Sequence, residues 1–138
     1  MGLAWFFINK VCIITRVMKS KKIKLWLPVF IWAGVIFSFA SMSINQSESF
    51  SWIDFVIKKS AHVTEYAILY WLLFRAMSQN NKDASRKVFI KVFVLTVLYA
   101  LSDEWHQTFV PGREGTLRDV GFDTIGALIS LNLKKRSV

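Results

Sequence analysis

Four apolar stretches alternate with short polar segments along the chain. Each stretch is 17 or 18 residues long, and they cover residues 25–42, 61–77, 88–105 and 117–133. As α-helices they would measure about 25–27 Å, the short end of the length that crosses a bilayer. Polar residues are nearly absent between Trp26 and Phe39, whereas a helix of a soluble bundle keeps a polar face. The pattern therefore predicts an all-α integral membrane bundle of four transmembrane helices rather than a soluble bundle.

The connecting segments are short, which favours an up-down-up-down arrangement of the helices. The Ser-rich segment 43–54 is typical of a surface loop, and segment 78–87 is typical of a polar turn. Pro28 falls in the first turn of the first predicted span, where proline is tolerated. In this arrangement the outer ends of spans two, three and four lie side by side.

Composition agrees with one small membrane domain. The chain has 138 residues, of which 54% are hydrophobic, so it is short for two domains and unusually apolar for a soluble one. We divide it into a basic and apolar N-terminal segment (1–24), a four-span domain (25–133) and a basic tail (134–138). The N-terminal segment is expected to be cytoplasmic or interfacial, and Met18 would be a natural translation start.

The distribution of charge predicts the orientation of the bundle. The net charge is +9, and most of the 18 Lys and Arg residues fall in segments 10–24, 75–91 and 134–136, on one side of the predicted bundle. Cytoplasmic segments of membrane proteins are enriched in Lys and Arg, so both termini are predicted to be cytoplasmic. This pattern indicates the lipid bilayer as the partner and argues against nucleic acid.

Ionisable residues collect at the opposite, outer end of the predicted bundle. Residues three or four positions apart share one face of a helix, so three helices each carry a polar stripe. Glu65 and Asp123 lie one to two turns inside their spans, where a charge is costly unless it is paired, protonated or facing a polar cavity. The stripes therefore predict an outward-facing polar pocket. They consist of Lys59, His62, Glu65 and Tyr66; of Asp103, His106 and Gln107; and of Asp119, Asp123 and Gly126.

Several of these groups also have a purely structural interpretation. Asp119 follows Thr116 by three residues, the spacing of a capping box at a helix start. Lys59 could be a snorkelling anchor, and Glu104, about a quarter-turn from Asp103, could face water. The stripes could also serve only to join helices within a subunit of a larger membrane assembly.

Three chemistries fit the predicted pocket. A divalent cation could be bound by His62, His106 and a carboxylate such as Asp103, although there is no HExxH motif. A histidine with Asp103 could instead act as a general base on a lipid-linked substrate, while Arg113 and Arg118 hold its phosphate. In the third, the pocket binds an anionic headgroup or cell-wall precursor without reacting with it. The candidate catalytic residues are His62, Glu65, Asp103, His106 and Asp123, and the candidate headgroup-binding residues are Lys59, Arg113 and Arg118.

Three motifs together resemble those of the VanZ-like membrane proteins: KSAHVTEY at 59–66, SDEWHQTFVPGR at 102–113, and RDV with DTIG between 118 and 126. The resemblance covers roughly residues 25–133, and it departs from the family at Asp123, where many members carry asparagine. It implies a small multi-span bacterial protein, and the founding member is associated with resistance to teicoplanin. The supporting motif positions carried over are Tyr66, Glu104, Gln107, Asp119 and Gly126.

The resemblance implies a protein of the bacterial cell envelope, located in the cell membrane. The expected function is to lower susceptibility to lipoglycopeptide antibiotics by binding lipid or cell-wall components at the outer leaflet. One alternative is a membrane-embedded metal- or His-assisted hydrolase or transferase acting on a lipid-linked envelope substrate. The other is a structural subunit of a membrane assembly.

Overall fold

The chain folds into four helices in a computed structural model that describes residues 2–43, 51–79 and 85–137, with side chains from Lys21 onward. No strand occurs in these residues, which confirms the all-α prediction. Parts of the two predicted loops, at 44–50 and 80–84, lie outside the described residues. The helices are α1 (Gly2–Ala40), α2 (Trp52–Met77), α3 (Arg86–Gln107) and α4 (Leu117–Ser137).

The helices extend beyond the apolar stretches that predicted them. α1 begins at Gly2, so the basic N-terminal segment continues into the first predicted span as helix. Pro28 therefore lies inside α1 and not in its first turn, which corrects the sequence interpretation. α2 begins at Trp52, well before the apolar stretch at 61–77, and Lys59 thus becomes part of the helix. Polar residues next to the apolar stretches are therefore part of the helices. Hydrophobicity predicts which residues are buried or face lipid, whereas a helix ends where its backbone hydrogen bonding stops.

Local sequence determines how α2 and α4 begin. The Ser51 hydroxyl accepts the backbone N–H of Asp54 at the start of α2, and the Thr116 hydroxyl accepts that of Asp119 at the start of α4. Both contacts satisfy first-turn N–H groups that have no partner within the helix. Between α3 and α4 the chain turns at Gly112, whose φ of 78° suits glycine. This turn places the start of α4 beside the end of α3.

α2 is the central helix, and it packs most extensively against α4. The close approach depends on Gly126, because a Cβ atom there would lie 2.2 Å from the backbone oxygen of Val63. The α2 side chains of Tyr66, Tyr70 and Phe74 are fully buried. α1 completes the bundle by packing against α2 and α3.

The distribution of side chains is unusual for a soluble protein. Large apolar groups are exposed, including Phe30 (68%), Trp105 (69%) and Leu117 (82%). One helical segment of the described residues, Lys21–Ala40, is long and apolar enough to cross a membrane. Polar side chains are buried instead, and those in the described residues are Ser78, Thr96, Asp103, Glu104, Gln107, Asp119, Asp123 and Ser130.

Candidate functional site

A cavity of about 550 Å³ lies at the end of the bundle where α1 and α3 end and where α2 and α4 begin. Its wall on α1 is apolar and consists of Ile36, Phe39 and Ala40. The other helices and the segment between α3 and α4 supply polar groups, so residues from all three predicted stripes meet here. These groups are Lys58, Lys59, His62, Glu65, Asp103, Gln107, Arg113, Glu114 and Asp119.

His62 and Asp123 form a pair at the base of this cavity. The Nδ1 atom of His62 lies 3.0 Å from Oδ1 of Asp123. His62 is half-buried and lines the cavity, whereas Asp123 is fully buried behind it. The close approach of α2 and α4 at Gly126 brings the two side chains within reach. A carboxylate that holds one ring nitrogen leaves the other one available for a proton or a metal ion.

Asp103 is buried on α3 and held by two neighbours. The Tyr66 hydroxyl and the Gln107 amide each donate to its Oδ2 atom at 3.3 Å. Its Oδ1 atom has no hydrogen-bond partner among the described residues, and the same is true of Oδ2 of Asp123. Buried carboxylate oxygens without a partner are uncommon in folded proteins. Each is therefore available to a proton, a water molecule or a cation.

Glu104 is buried. The alternative that it faces water, which its position on the helix had left open, is therefore wrong. Its Oε2 atom accepts the backbone N–H of Thr116 at 2.9 Å, and its Oε1 atom accepts a hydrogen bond from Gln107 at 3.4 Å. Gly115 permits this approach, because a Cβ atom there would lie 2.0 Å from the backbone oxygen of Glu104. Glu104 thus joins the end of α3 to the start of α4.

Lys59 and Arg118, two of the three predicted headgroup-binding residues, lie in different surroundings from each other. Lys59 forms an ion pair with Asp119 between α2 and α4, and both side chains are largely buried. Lys59 is therefore already neutralised within the protein. Arg118 is exposed and does not line the cavity; its guanidinium lies 5.8 Å from the centre of the Phe55 ring.

The third of these residues, Arg113, fastens the end of α1 to the segment after α3. Its Nε atom donates to the Met42 carbonyl at 2.8 Å, and its Nη2 atom donates to the Phe39 carbonyl at 2.6 Å. Its Nη1 atom donates to Gln107 Oε1 at 3.4 Å. Carbonyls at a helix C-terminus lack partners within the helix, so Arg113 caps α1 from outside. All three guanidinium nitrogens already donate to the protein, which leaves fewer donors for an anion.

His106 faces α1 and does not line the cavity that contains His62. Its ring stacks on Phe37 with centroids 4.5 Å apart, and Nε2 lies 3.1 Å from the Ser41 hydroxyl. It borders a second cavity of about 420 Å³, which Asp103 also lines. The side chains of residues three apart on a helix differ in direction by about 60°. This difference directs His106 and Asp103 to different neighbours.

The metal-ligand set predicted from the sequence is consequently not assembled. His62, His106 and Asp103 do not converge, because His106 points towards α1. Among the described residues, the group whose ligand atoms do converge is His62, Glu104 and Asp123. Two of its three members were candidate residues for the pocket's chemistry, whereas Glu104 was assigned only a supporting position.

Sequence reasoning missed the contribution of α1 to the site. The Trp32 indole donates to the backbone oxygen of Glu65 at 2.9 Å, and the Tyr99 hydroxyl donates to that of Ala33 at 2.7 Å. These bonds hold α1 against α2 and α3 and so position the apolar wall of the cavity. The sequence signal that could have revealed these contacts is a Trp or Tyr within an apolar stretch. When such a side chain is buried, its N–H or O–H group needs a hydrogen-bond partner, here on a neighbouring helix.

A protein-family model described as VanZ/LLP1 matches residues 19–135. The matched region contains every residue that lines the cavity. No curated protein and no solved structure matches the chain at a significant level.

Proposed function

The chain belongs to the VanZ-like family, and from this membership we propose that it is a four-span membrane protein of the bacterial cell envelope. Its cavity binds the headgroup of a lipid or a lipid-linked cell-wall component at the outer leaflet. In doing so the protein lowers susceptibility to lipid-tailed glycopeptides such as teicoplanin. The observation that carries the proposal is the polar cavity at one end of a bundle whose exterior is apolar.

The exterior of the bundle supports insertion into a bilayer. Every helix exposes large apolar side chains, for example Phe30 on α1, Ile57 on α2, Leu98 on α3 and Leu128 on α4. Exposed apolar side chains on every helix are unfavourable in water and favourable in lipid. α2, α3 and α4 contain 26, 22 and 21 residues, and helices of these lengths measure about 39, 33 and 31 Å. Each is long enough for a hydrocarbon core of about 30 Å.

The positions of basic residues support an outward-facing cavity. Arg75 lies in the last turn of α2, Lys134 and Arg136 lie in the last turn of α4, and Arg86 begins α3. These ends are opposite to the cavity, which lies where α2 and α4 begin. Because basic residues favour the cytoplasmic side, the cavity faces the outer leaflet and both termini are cytoplasmic.

The shape and lining of the cavity suit an amphiphilic ligand. Its volume of about 550 Å³ is within the usual range of ligand sites, roughly 300–1,000 Å³. Polar groups of α2 and α3 can contact a headgroup, while Ile36 and Phe39 on α1 can contact the start of an acyl chain. Lys59 and Arg113 are engaged within the protein. Exposed Lys58, which lines the cavity, is therefore the cation best placed for a phosphate.

Antibiotic susceptibility tests this function directly. Teicoplanin and vancomycin would be compared in a susceptible host that expresses the wild-type chain, Lys58→Ala or His62→Ala at equal membrane levels. We expect the wild type to protect selectively against teicoplanin, and both substitutions to reduce that protection. Arg118→Ala is the matched control, because it removes an exposed cation at the same end but outside the cavity lining.

Two results would contradict the proposal. Protection that survives both cavity substitutions would exclude the cavity from the function. A wild-type chain that gives no protection would exclude the resistance function itself.

The His62–Asp123 pair favours a second function, a hydrolase or transferase acting on a lipid-linked envelope substrate. A histidine oriented by a buried carboxylate is suited to general-base catalysis. Lipid extracts from hosts expressing wild-type protein or His62→Gln would be compared by mass spectrometry. A lipid-linked species that the wild type alone consumes would support catalysis, and identical extracts would contradict it.

A further inference from the structure

The buried carboxylates outnumber the cations that contact them. Among the described residues, the most completely buried charged side chains are all acidic: Asp103, Glu104, Asp119 and Asp123. Lys59 neutralises Asp119, and His62 contacts Asp123. Carboxylates gathered away from water are unfavourable unless protons or cations compensate their charge. The acid excess therefore makes the base of the cavity better suited to a cation than to an anion.

Three potential metal ligands converge at this point. One ring nitrogen of His62 and one oxygen each of Glu104 and Asp123 lie within 4.8 Å of one another. Nitrogen and oxygen ligands lie about 2.0–2.2 Å from Zn²⁺, so two of them bound to one ion are at most about 4.4 Å apart. Small side-chain rotations are sufficient to reach that geometry. The three residues come from α2, α3 and α4, so the site depends on the folded bundle.

An unpartnered oxygen provides an independent indication of a ligand. Asp123 is fully buried, yet its Oδ2 atom has no hydrogen-bond partner among the described residues. Its Oδ1 atom is already in contact with His62. A buried carboxylate normally has both oxygens satisfied. Coordination of a cation by Oδ2 would satisfy the second oxygen and offset the buried negative charge.

We propose that His62, Glu104 and Asp123 bind one divalent transition-metal ion, Zn²⁺ or Mn²⁺, at the base of the cavity. Imidazole favours zinc and carboxylates favour manganese, so one nitrogen and two oxygens suit either ion. Three protein ligands leave at least one coordination position for water or a ligand oxygen. Gln107 and the Thr116 N–H orient Glu104, as outer-shell groups do for metal ligands. The metal site is independent of the headgroup proposal and is tested without a lipid ligand.

Metal binding by the purified full-length protein tests this inference. The protein would be extracted in detergent, stripped with a chelator, dialysed against Zn²⁺, Mn²⁺ or Mg²⁺, and analysed by elemental mass spectrometry. We expect the wild type to retain a single equivalent of Zn²⁺ or Mn²⁺, and Glu104→Gln and Asp123→Asn to lose it. Glu65→Gln is the matched control, because Glu65 lines the same cavity but lies outside the converging group. It is expected to retain the ion.

Thermal unfolding provides a second readout on the same samples. An ion that binds the folded state raises the Tm, so the wild type and Glu65→Gln should be stabilised by metal and the two cluster variants should not. His62→Gln replaces either cluster variant that fails to elute as a folded species. Wild-type protein without bound metal, equal binding by the cluster variants, or equal loss in Glu65→Gln would overturn the proposal. Preferential binding of Mg²⁺ would overturn the assignment to a transition metal.

Discussion

At the scale of single residues, Glu104 caps the start of α4, a role that usually belongs to a side chain of the capped helix itself. In a capping box, the acidic side chain three residues after the cap accepts the N–H of the cap residue. Asp119 has that position relative to Thr116, but its carboxylate is paired with Lys59. Glu104, from a different helix, accepts the Thr116 N–H instead. One side chain thereby links the start of α4 to both α3 and the base of the cavity.

Removing this carboxylate should weaken the start of α4. Glu104→Ala leaves the Thr116 N–H without its partner and removes one of the two acceptors of the Gln107 amide, and we expect the free energy of unfolding to fall by about 1–3 kcal/mol. The measurement is thermal unfolding in detergent with a chelator present. Glu114→Ala, which removes an exposed carboxylate nearby, should leave stability almost unchanged. Equal effects of the two substitutions would contradict the role of Glu104.

Helical spacing predicted some side-chain positions and not others. The stripe of Lys59 and His62 on α2 meets the stripe of Asp119 and Asp123 on α4, because successive turns of two packed helices stay in register. His106 was grouped with Asp103, but the rotation between them is large enough to give it a different neighbour. Spacing along the sequence shows which residues lie on the same broad face of a helix. Which neighbour each of those side chains contacts depends on how the other helices pack against that face.

At the scale of helices, the α2–α4 contact fixes the geometry of the cavity. Gly126 has the backbone of Val63 against it, whereas Gly121, on the same helix, has nothing within 4 Å of its would-be Cβ atom. The two glycines therefore offer a matched comparison. Gly126 is required by the packing of α2 against α4, whereas Gly121 only lowers the helix propensity of α4.

Alanine at these two positions should have opposite effects. Gly126→Ala forces α2 and α4 apart, and we expect it to reduce stability by about 1–3 kcal/mol. Gly121→Ala should increase stability by up to about 1 kcal/mol, since alanine favours the helix. Thermal unfolding of both variants measures the difference. A Gly126→Ala protein as stable as wild type would show that the helices are not in close contact there.

Arg113 adds hydrogen bonds to the packing that holds α1 against the other helices. Lysine cannot reproduce the planar set of donors that reaches the Phe39 and Met42 carbonyls together. Arg113→Lys should therefore accelerate backbone hydrogen exchange in the last turn of α1 while leaving α4 unchanged. Arg118→Lys serves as the control. Unchanged exchange at residues 37–42 in Arg113→Lys would contradict the capping role.

The sequence predicted the number of helices better than their ends. All four apolar stretches are helical in the structure apart from the last two residues of the first, because each is long, apolar and almost free of proline. Their limits differ because helical hydrogen bonding continues through polar residues, as at Lys58, Lys59 and Ser60 of α2. The cap that Arg113 forms on α1 joins residues more than 70 positions apart, and no local pattern contains that information.

At the scale of the whole molecule, apolar groups face outwards while most buried charge is concentrated around one cavity. The proposed topology places this cavity outside, because basic residues lie at the opposite end of the bundle. Cysteine labelling checks it in intact cells. In a Cys12→Ser background, Glu114→Cys should react with a membrane-impermeant maleimide, because Glu114 is exposed at the cavity end. Ser85→Cys, exposed at the opposite end, should react only after the membrane is permeabilised. The reverse pattern would overturn the orientation.

The distribution of the polar partners also has a consequence for biogenesis. Lys21–Ala40 is long and apolar enough to cross a membrane, whereas Lys59 and His62 on α2 find their partners on α4, which leaves the ribosome after α2 and α3. In the proposed membrane topology, a nascent chain that ends at residue 110 thus leaves Lys59 and His62 without these partners. In a pulse-chase experiment we expect this truncated chain to be degraded faster than the complete one, and equal lifetimes would contradict the expectation. In the proposed membrane bundle, α2 to α4 are therefore expected to assemble as a group, because the ionisable groups of α2 meet their partners only when α4 packs against them.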